Sequence, residues 1–571
     1  MHRPWPSSWP PPGRSAPPAP RRPLRGKRLR RLCGDHHVSW MKVSTSAIRT
    51  GHTASFAATA GTARPATAAA ARATVFATAL AIAALAACGP PGDSEVPQAT
   101  DPTILARVDA VFADYASPDG PGCSVGVIRD GRLVHATGYG TANLDHGIPN
   151  GPATIHRIGS VSKQFTAAAI ALLSIRGDLD LDAPVRDYVA EFPDYPDPPT
   201  IRHLVYHTSG VRDYIVLMSL AGKRSEDFFT NQEVLDAIVR QRELNFTPGS
   251  EFLYSNSGYF LLGEIVARVS GQSLREFAEA EFFEPLGMPR THFHDDHNEI
   301  VPGRAIGYAP TGGEGDGVTD GHGFRINVTT LDMVGDGGIF TSVEEWAAWD
   351  RNLTDGTVGG PEWVALMHQR GVLNSGDTIP YAFGIVHGGH RGLATVGHGG
   401  AWVGYRAGMS RYPETGHSFV ALCNRSQIDP MALIASTAEI YLEDRMEPDA
   451  EAAEPDAEGE APAEAAEEEG DAPQDRPGRD IPDRTRYAGS FHSPELNTTY
   501  RILAEGDAGL ALHAGRLEPL TLRARAEADG ALVSELGLTL RFSAVAGGRF
   551  QSLMVDAGRV RNLRFMRVGD R

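Results

Sequence analysis

The sequence predicts a mixed α/β (α+β) protein, with an antiparallel sheet flanked by helices, a helical region, and a small all-β domain, barrel or sandwich, at the C-terminal end. Three observations predict it. Strand-type alternation stands at both ends of residues 102–446 with helix-type periodicity between, which argues for one antiparallel sheet and a separate helical region. Residues 447–475 carry thirteen acidic side chains and no Lys, Arg or aromatic residue. Beyond that stretch, short segments alternate apolar and polar residues between Gly, Asp and Asn turns, with no helical period.

The chain has 571 residues, enough for one large domain, a small one and tails. Residues 1–72 hold thirteen Lys or Arg against one acid, Asp35, although the whole chain carries a net charge of -18. Without that basic segment the remainder is more acidic still, which argues against a nucleic-acid role for the core. Residues 73–87, ATVFATALAIAALAA, form an uncharged apolar run of signal-peptide length, shorter than the ~20 residues of a membrane span. Its ending, Leu85-Ala86-Ala87-Cys88, resembles the bacterial lipoprotein box. That resemblance implies cleavage before Cys88, lipidation of its thiol and an exported protein held at a membrane surface. Plain secretion after Ala84-Leu85-Ala86, or an Ala-rich helix of no significance, are the alternatives. Residues 1–87 thus read as a basic extension and signal peptide, and 88–101 as a tether.

Within 102–446, TILARVDAVFADYA reads as an amphipathic helix and CSVGVIRDGRLVHATGYG as a hairpin turning at Asp130-Gly131. Helices follow from near Ser160 and at about 231–241, 257–269 and 343–352. Strands return at 381–388, 393–398, 402–411 and 417–424, and a helix at 430–444 closes the domain. Residues 447–486 read as an extended, self-repelling linker that cannot bury enough apolar area to fold. Segments such as TTYRILAE, GLALHA and VRNLRFMRV make 487–571 the C-terminal β domain.

The chemistry is carried by three short patterns. The first is Ser160-Val161-Ser162-Lys163 at the start of a helix-forming run. Spacing i, i+3 puts Ser160 and Lys163 on one face, a turn apart, as a serine nucleophile and its base require. Only four of the 53 basic residues are Lys, and only Lys163 and Lys223 lie beyond the export segment. Arg cannot act as a base, whereas Lys near a helix N-terminus is pushed toward neutrality. Lys223 reads as a solvated loop residue. The second pattern is Tyr254-Ser255-Asn256 before another helix, a phenol and an amide fit for proton shuttling and substrate hydrogen bonding. The third is His398-Gly399-Gly400-Ala401 at the end of the strand GLATVG, where glycines let a substrate backbone approach. Singly, each pattern is as readily a surface lysine, a helix-capping amide or a hairpin edge.

Together, in this order, they resemble the serine β-lactamase-related family, which includes class C β-lactamases, D-Ala-D-Ala carboxypeptidases, D-aminopeptidases and esterases. The stretches IGSVSKQFTA, His203 to Tyr214, Gly335 to Trp349 and Tyr381 to Ile385 also look like family segments. The resemblance implies a β-lactamase/penicillin-binding-protein-like fold with an accessory β domain. It implies a serine hydrolase with an acyl-enzyme at Ser160, Lys163 as partner and Tyr254 as base or proton shuttle. Which of Lys163 and Tyr254 takes the serine proton stays open. Asn256, His398, Gly400 and Ala401 would bind substrate, the amides of Ser160 and Ala401 the oxyanion. No cofactor and no metal are implied, and no ligand-spaced Cys/His cluster is read from the sequence. Substrates would be small esters, peptides or lactams. Family β-lactamases usually carry Lys-Thr-Gly where this chain has His398-Gly399-Gly400, and a histidine is only partly charged at neutral pH. Esterase or D-amino-acid peptidase activity is therefore favoured over β-lactam hydrolysis, with a catalytically silent envelope-binding lipoprotein as the rival class. In the family fold the strands bearing Cys123 and Cys423 are antiparallel neighbours, so the two thiols would lie close. A disulfide and two buried free thiols are both open. His207 reads as structural, holding a loop beneath the site.

Overall fold

The computed structural model describes residues 101–224, 227–311, 323–448, 481, 483–505, 509–524 and 531–569. The export segment, Cys88 and the acidic stretch from 449 to 480 lie outside these. No helix among the described residues is long and apolar enough to cross a membrane.

The main sheet joins both ends of the hydrolase-like region. Its strands are β1 Cys123–Arg129, β2 Arg132–Tyr139, β3 Val386–His390, β4 Leu393–Trp402, β5 Tyr405–Tyr412 and β6 His417–Cys423, in spatial order β3-β4-β5-β6-β1-β2. The pairing of β1 with β6 is antiparallel and sets Cys123 opposite Cys423, and the two cysteines are disulfide-bonded. β1 is buried up to Arg129 because both its faces are covered. Val125 and Val127 point to the helices α1 Pro102–Val111 and α5 Pro430–Leu442, whereas Ile128 points to the larger core. That is the period-2 alternation of a strand between two layers. Both covering helices start with Asp-Pro. Asp101 and Asp429 accept from backbone N–H groups of the first turn, and the following proline loses no helical hydrogen bond there.

The larger core lies on the other face. It is built by α2 Lys163–Arg176, α3 Asn256–Ser270 and α4 Val343–Asp355. Phe165 of α2 stacks on Trp349 of α4 at 4.1 Å between ring centroids. Aromatic burial of this kind contributes roughly 2–3 kcal/mol per side chain. A small sheet of His156–Arg157, Ile339–Thr341 and His292–Phe293 underlies the turn that precedes α2.

The structure corrects three local expectations. Residues 381–385 are not strand: Gly384 takes a φ of 73°, and a Cβ there would sit 2.4 Å from the Gln164 nitrogen, so the chain bends to press on α2. β4 runs on through residue 402, so His398-Gly399-Gly400 lies within a strand and not at its end. Ser160 belongs to a 3-10 turn, Gly159–Ser162, and the α-helix begins only at Lys163.

The C-terminal β domain is a closed barrel of β7 Gly489–Ser493, β8 Thr498–Glu505, β9 Gly509–Ala514, β10 Leu520–Ala524, β11 Ala531–Ser534, β12 Thr539–Ala546, β13 Arg549–Ala557 and β14 Val560–Val568. Pairing of β7 with β14 closes it, which leaves no open sheet edge. Leu217 and Leu220 of the helix Tyr214–Leu220 pack into the barrel's own core cluster, and Tyr500 Oη donates to the Leu220 carbonyl at 2.7 Å. The fully buried Arg212 donates to Glu495 Oε2 at 2.7 Å, to Gln241 Oε1 at 2.8 Å and to the Arg561 carbonyl at 3.1 Å. The barrel is thus bolted to the loop that leads into the site.

Candidate active site

The serine is held where a tight turn meets a strand. Gly159 has a φ of 52°, and a Cβ on it would lie 2.7 Å from the Ala401 nitrogen. A Cβ on Gly400 would lie 2.1 Å from the Ile158 carbonyl oxygen. These two glycines let β4 close on the serine turn. Lys163 is fully buried, and its Nζ lies 3.0 Å from Ser160 Oγ, 2.8 Å from Asn256 Oδ1 and 2.7 Å from the Asp336 carbonyl oxygen. The last two partners only accept, so they take two N–H groups. The serine hydroxyl can donate as well as accept, so a neutral lysine would direct its lone pair at Oγ–H.

Tyr254 and Asn256 are placed by residues outside their own motif. Asn256 opens α3, and its N–H donates to Asp213 Oδ2 at 2.7 Å. Asp213, fully buried, also caps the helix Tyr214–Leu220 through Oδ1. Lys163 Nζ lies 4.7 Å from the centre of the Tyr254 ring. The His207 ring packs on that of Tyr254 at 4.2 Å, and its Nδ1 accepts from the Ser255 N–H at 3.1 Å. Burial first, and then any positive charge on the neighbouring Lys163, His398 and Arg559, hold the His207 pKa well below its ordinary value. His207 is therefore a neutral brace beneath the phenol. Burial likewise raises the pKa of the Asp336 carboxyl, which accepts from Tyr214 Oη at 3.0 Å.

The third pattern lines the second cavity while the protein itself engages its histidine. His398 is buried, with Nδ1 2.6 Å from the Gly399 carbonyl and Nε2 3.1 Å from Tyr381 Oη. A proton on Nδ1 and a phenol donating to Nε2 satisfy both nitrogens within the protein.

Ser160, Tyr254, Asn256 and Ala401 line one cavity of about 700 Å³. Tyr254, His398, Gly400 and Ala401 line a second of about 770 Å³. The structure places Ser160, Lys163, Tyr254, Asn256, His398, Gly400 and Ala401 around these two cavities, with Lys163 buried beneath Ser160. Sequence reasoning missed Asp213 and Asp336, although both lie in stretches that resembled family segments. It also missed the barrel: Leu536, Leu538 and Arg559 form part of the first cavity's wall. No pattern near Arg559 signals this.

The sequence reading found no metal ligands, but the structure brings His292, His294 and Glu299 together, their ligand atoms within 4.8 Å of one another. The signal was His-x-His on an extended segment, which places both rings on one side. Arg275 already grips both Glu299 oxygens, at 2.5 and 3.0 Å, and the His292 and His294 nitrogens pair with each other at 3.4 Å. Lys223 lies 3.8 Å from Glu233 and half-exposed.

The Beta-lactamase family model matches residues 108–441. A D-aminopeptidase of Gluconobacter oxydans (strain 621H) is 32% identical over 311 residues, 53% of this chain and 56% of the relative. One from Brucella ovis is 31% identical over 306 residues with the same shares. The chain therefore spans a little over half the length of these curated relatives. Among solved structures, the octameric penicillin-binding protein homologue from Pyrococcus abyssi aligns with a TM-score of 0.51 at 22% identity, covering 81% of this chain and 99% of its own. The D-amino acid amidase from Ochrobactrum anthropi SV3 aligns with a TM-score of 0.50 at 21% identity, covering 60% and 100%. These likenesses are of fold. The family match over more than half the chain carries the assignment: this protein belongs to the Beta-lactamase family.

Proposed function

We propose that the protein is a serine hydrolase that cleaves small amide substrates of D-amino-acid type through an acyl-enzyme. The observation that carries the reading is the Ser160–Lys163–Asn256 hydrogen-bonded cluster facing a cavity that also holds Tyr254 and Ala401. Ser160 Oγ attacks the carbonyl carbon and passes its proton to Lys163 or Tyr254. The amides of Ser160 and Ala401 stabilise the oxyanion. The C–N bond breaks, and the leaving nitrogen takes a proton through Tyr254. Water then hydrolyses the ester and restores the serine hydroxyl. The names of the D-aminopeptidase relatives favour amides over esters. Export and lipid anchoring at Cys88 belong to the same proposal; an unmodified Cys88 in the mature chain would remove the anchor and leave plain secretion, and an uncleaved N-terminal segment would remove both.

A fluorophosphonate probe followed by peptide mass mapping tests the chemistry. Wild type should carry the adduct on Ser160, and Ser160→Ala should carry none and turn over neither p-nitrophenyl esters nor D-Ala peptides. A folded wild type without an adduct would defeat the enzyme reading in favour of a binding protein. Nitrocefin in the same screen measures the β-lactamase alternative.

A further inference from the structure

The charge that the third motif lacks stands on the opposite wall. Arg559 sits in the turn between β13 and β14, a barrel hairpin whose tip enters the site. Its carbonyl accepts from Asn245 Nδ2 at 2.8 Å and from the Asp213 N–H at 3.4 Å, and the Arg561 N–H donates to Asn245 Oδ1 at 2.8 Å. The hairpin is therefore fixed by backbone bonds to the hydrolase loop, and the Arg559 side chain is aimed without needing contacts of its own. Its guanidinium lies 5.1 Å above the Tyr254 ring, and Arg559 lines both cavities, which share only it, Tyr254 and Ala401.

Among the described residues the guanidinium makes one ion pair, to Asp213 Oδ2, at 3.6 Å and so beyond hydrogen-bond range. That oxygen already accepts from Asn256 at 2.7 Å, and the other caps a helix. Asp213 is committed to holding the site together, so the Arg559 fork retains donors for a ligand. Other nearby cations are spent differently. Arg157 donates to the Gly337 carbonyl, Arg406 to those of Val403 and Tyr405, and both His398 nitrogens are engaged within the protein.

We propose that Arg559 is an anion-binding subsite that takes the carboxylate of the leaving group, so that the preferred substrates are peptides or N-acyl amino acids with a free C-terminal carboxylate. The proposal rests on the amide-hydrolase reading above. Its sidedness follows from Tyr254. The phenol that protonates the leaving nitrogen must stand beside it, and the α-carboxylate of a leaving amino acid is two bonds from that nitrogen. A cation over the Tyr254 ring is therefore next to that carboxylate. Arg is permanently charged and can grip a carboxylate with two parallel bonds, whereas the third-motif histidine can do neither. A β-lactamase-type cation has in effect been relocated to the accessory barrel.

The test compares matched substrates in the full chain: acetyl-D-Ala-D-Ala and D-Ala-D-Ala against their C-terminal amides. Wild type should prefer the acids by about tenfold or more in kcat/KM. Arg559→Gln should cut the acid-over-amide ratio about 10- to 100-fold, chiefly through KM. Arg559→Lys should fall between, since an ammonium offers charge without the fork. Arg564→Gln, the same charge change on an exposed neighbouring barrel residue, should leave the ratio where it was. An acid-over-amide ratio near one in wild type overturns the proposal. So does an equal loss on acids and amides in Arg559→Gln, which would mark the hairpin as a positioning element only. If Ser160 takes the fluorophosphonate but neutral amides or esters are preferred, the subsite fails and the hydrolase stands. If Ser160 is never labelled, the hydrolase reading fails first.

Discussion

Two walls face each other across the cavity at Ser160, and they are built on different principles. The inner wall consists of Ser160, Lys163, Asn256 and Ala401, carried on helix starts and a strand that pack into the largest hydrophobic core. Its polar groups are joined by hydrogen bonds of 2.7–3.0 Å. The outer wall is the barrel. It reaches the cavity through the hairpin tip at 557–559, through Tyr500 and through residues of 512–520 and 536–538, Glu518 among them. Arg559 lies over the Tyr254 ring and makes, among the described residues, one ion pair, the long 3.6 Å contact to Asp213. Fixed, saturated groups suit chemistry, where geometry must not drift. An under-committed cation on a barrel hairpin suits selection, because the hairpin tip can vary without disturbing the nucleophile.

That difference can be broken at its strongest point first. Lys163→Arg keeps the positive charge but removes the possibility of a neutral base, and its planar fork cannot meet Ser160, Asn256 and the Asp336 carbonyl from one nitrogen. We expect kcat on a p-nitrophenyl ester to fall by about 10²–10⁴. Full activity in a folded Lys163→Arg variant would refute the neutral-lysine mechanism.

The second prediction concerns the bolt between the walls. Arg212→Ala leaves Glu495 buried without its cation and strips donors from the Arg561 and Asn562 carbonyls. Removing one partner of a buried pair costs about 3–5 kcal/mol, measured as a shift in denaturant midpoint. The paired replacement Arg212→Met with Glu495→Leu should recover much of that loss, since no lone charge then remains buried. A double variant no better than Arg212→Ala would mean that the backbone bonds of Arg212, and not the ion pair, hold the barrel in place.

The inner wall was largely legible in the sequence, and the outer wall was not, for a physical reason. Ser160 and Lys163 are neighbours on one turn, so spacing alone places them together. The Asp-Pro helix starts at 101 and 429 and the alternation in β1 and β6 are equally local. The expectation that His398-Gly399-Gly400 ended a strand failed because two glycines look like a turn. Here they continue the strand so that it can pass the Ile158 carbonyl closely. Arg559 was invisible for the opposite reason. It lies in an ordinary two-residue hairpin turn, among many arginines, and its place at the site depends on how the barrel docks, 346 positions from Asp213 in the chain. Docking rests on long-range pairs such as Arg212–Glu495, which no window of sequence contains.

A smaller effect tests how far the inner wall depends on buried neutral groups. His156 and His294 belong to the segments beneath the serine turn; His156 pairs with Thr341, and the His294 N–H donates to the Gly338 carbonyl at 2.9 Å. Burial is the main cause that lowers the His156 pKa to about 3 and that of His294 to about 4. The unfolded chain would take up protons near pH 6.5 while the folded one would not, so the unfolded state binds more protons between about pH 6.5 and 4. Stability is therefore complete above that window and is lost as pH falls through it, by about 1.4 kcal/mol per histidine at pH 5.5 relative to pH 8. Thermal melts from pH 8 to pH 5 should show the decline, and His156→Gln, which removes one titrating group, should shallow it by that amount even if the variant starts less stable. An unchanged slope in His156→Gln would mean that acid sensitivity resides elsewhere. Hydrogen exchange at pH 5.5 adds the spatial answer: protection should fall first around residues 156–163 and 336–341, on the wall that does the chemistry, and later in the barrel strands.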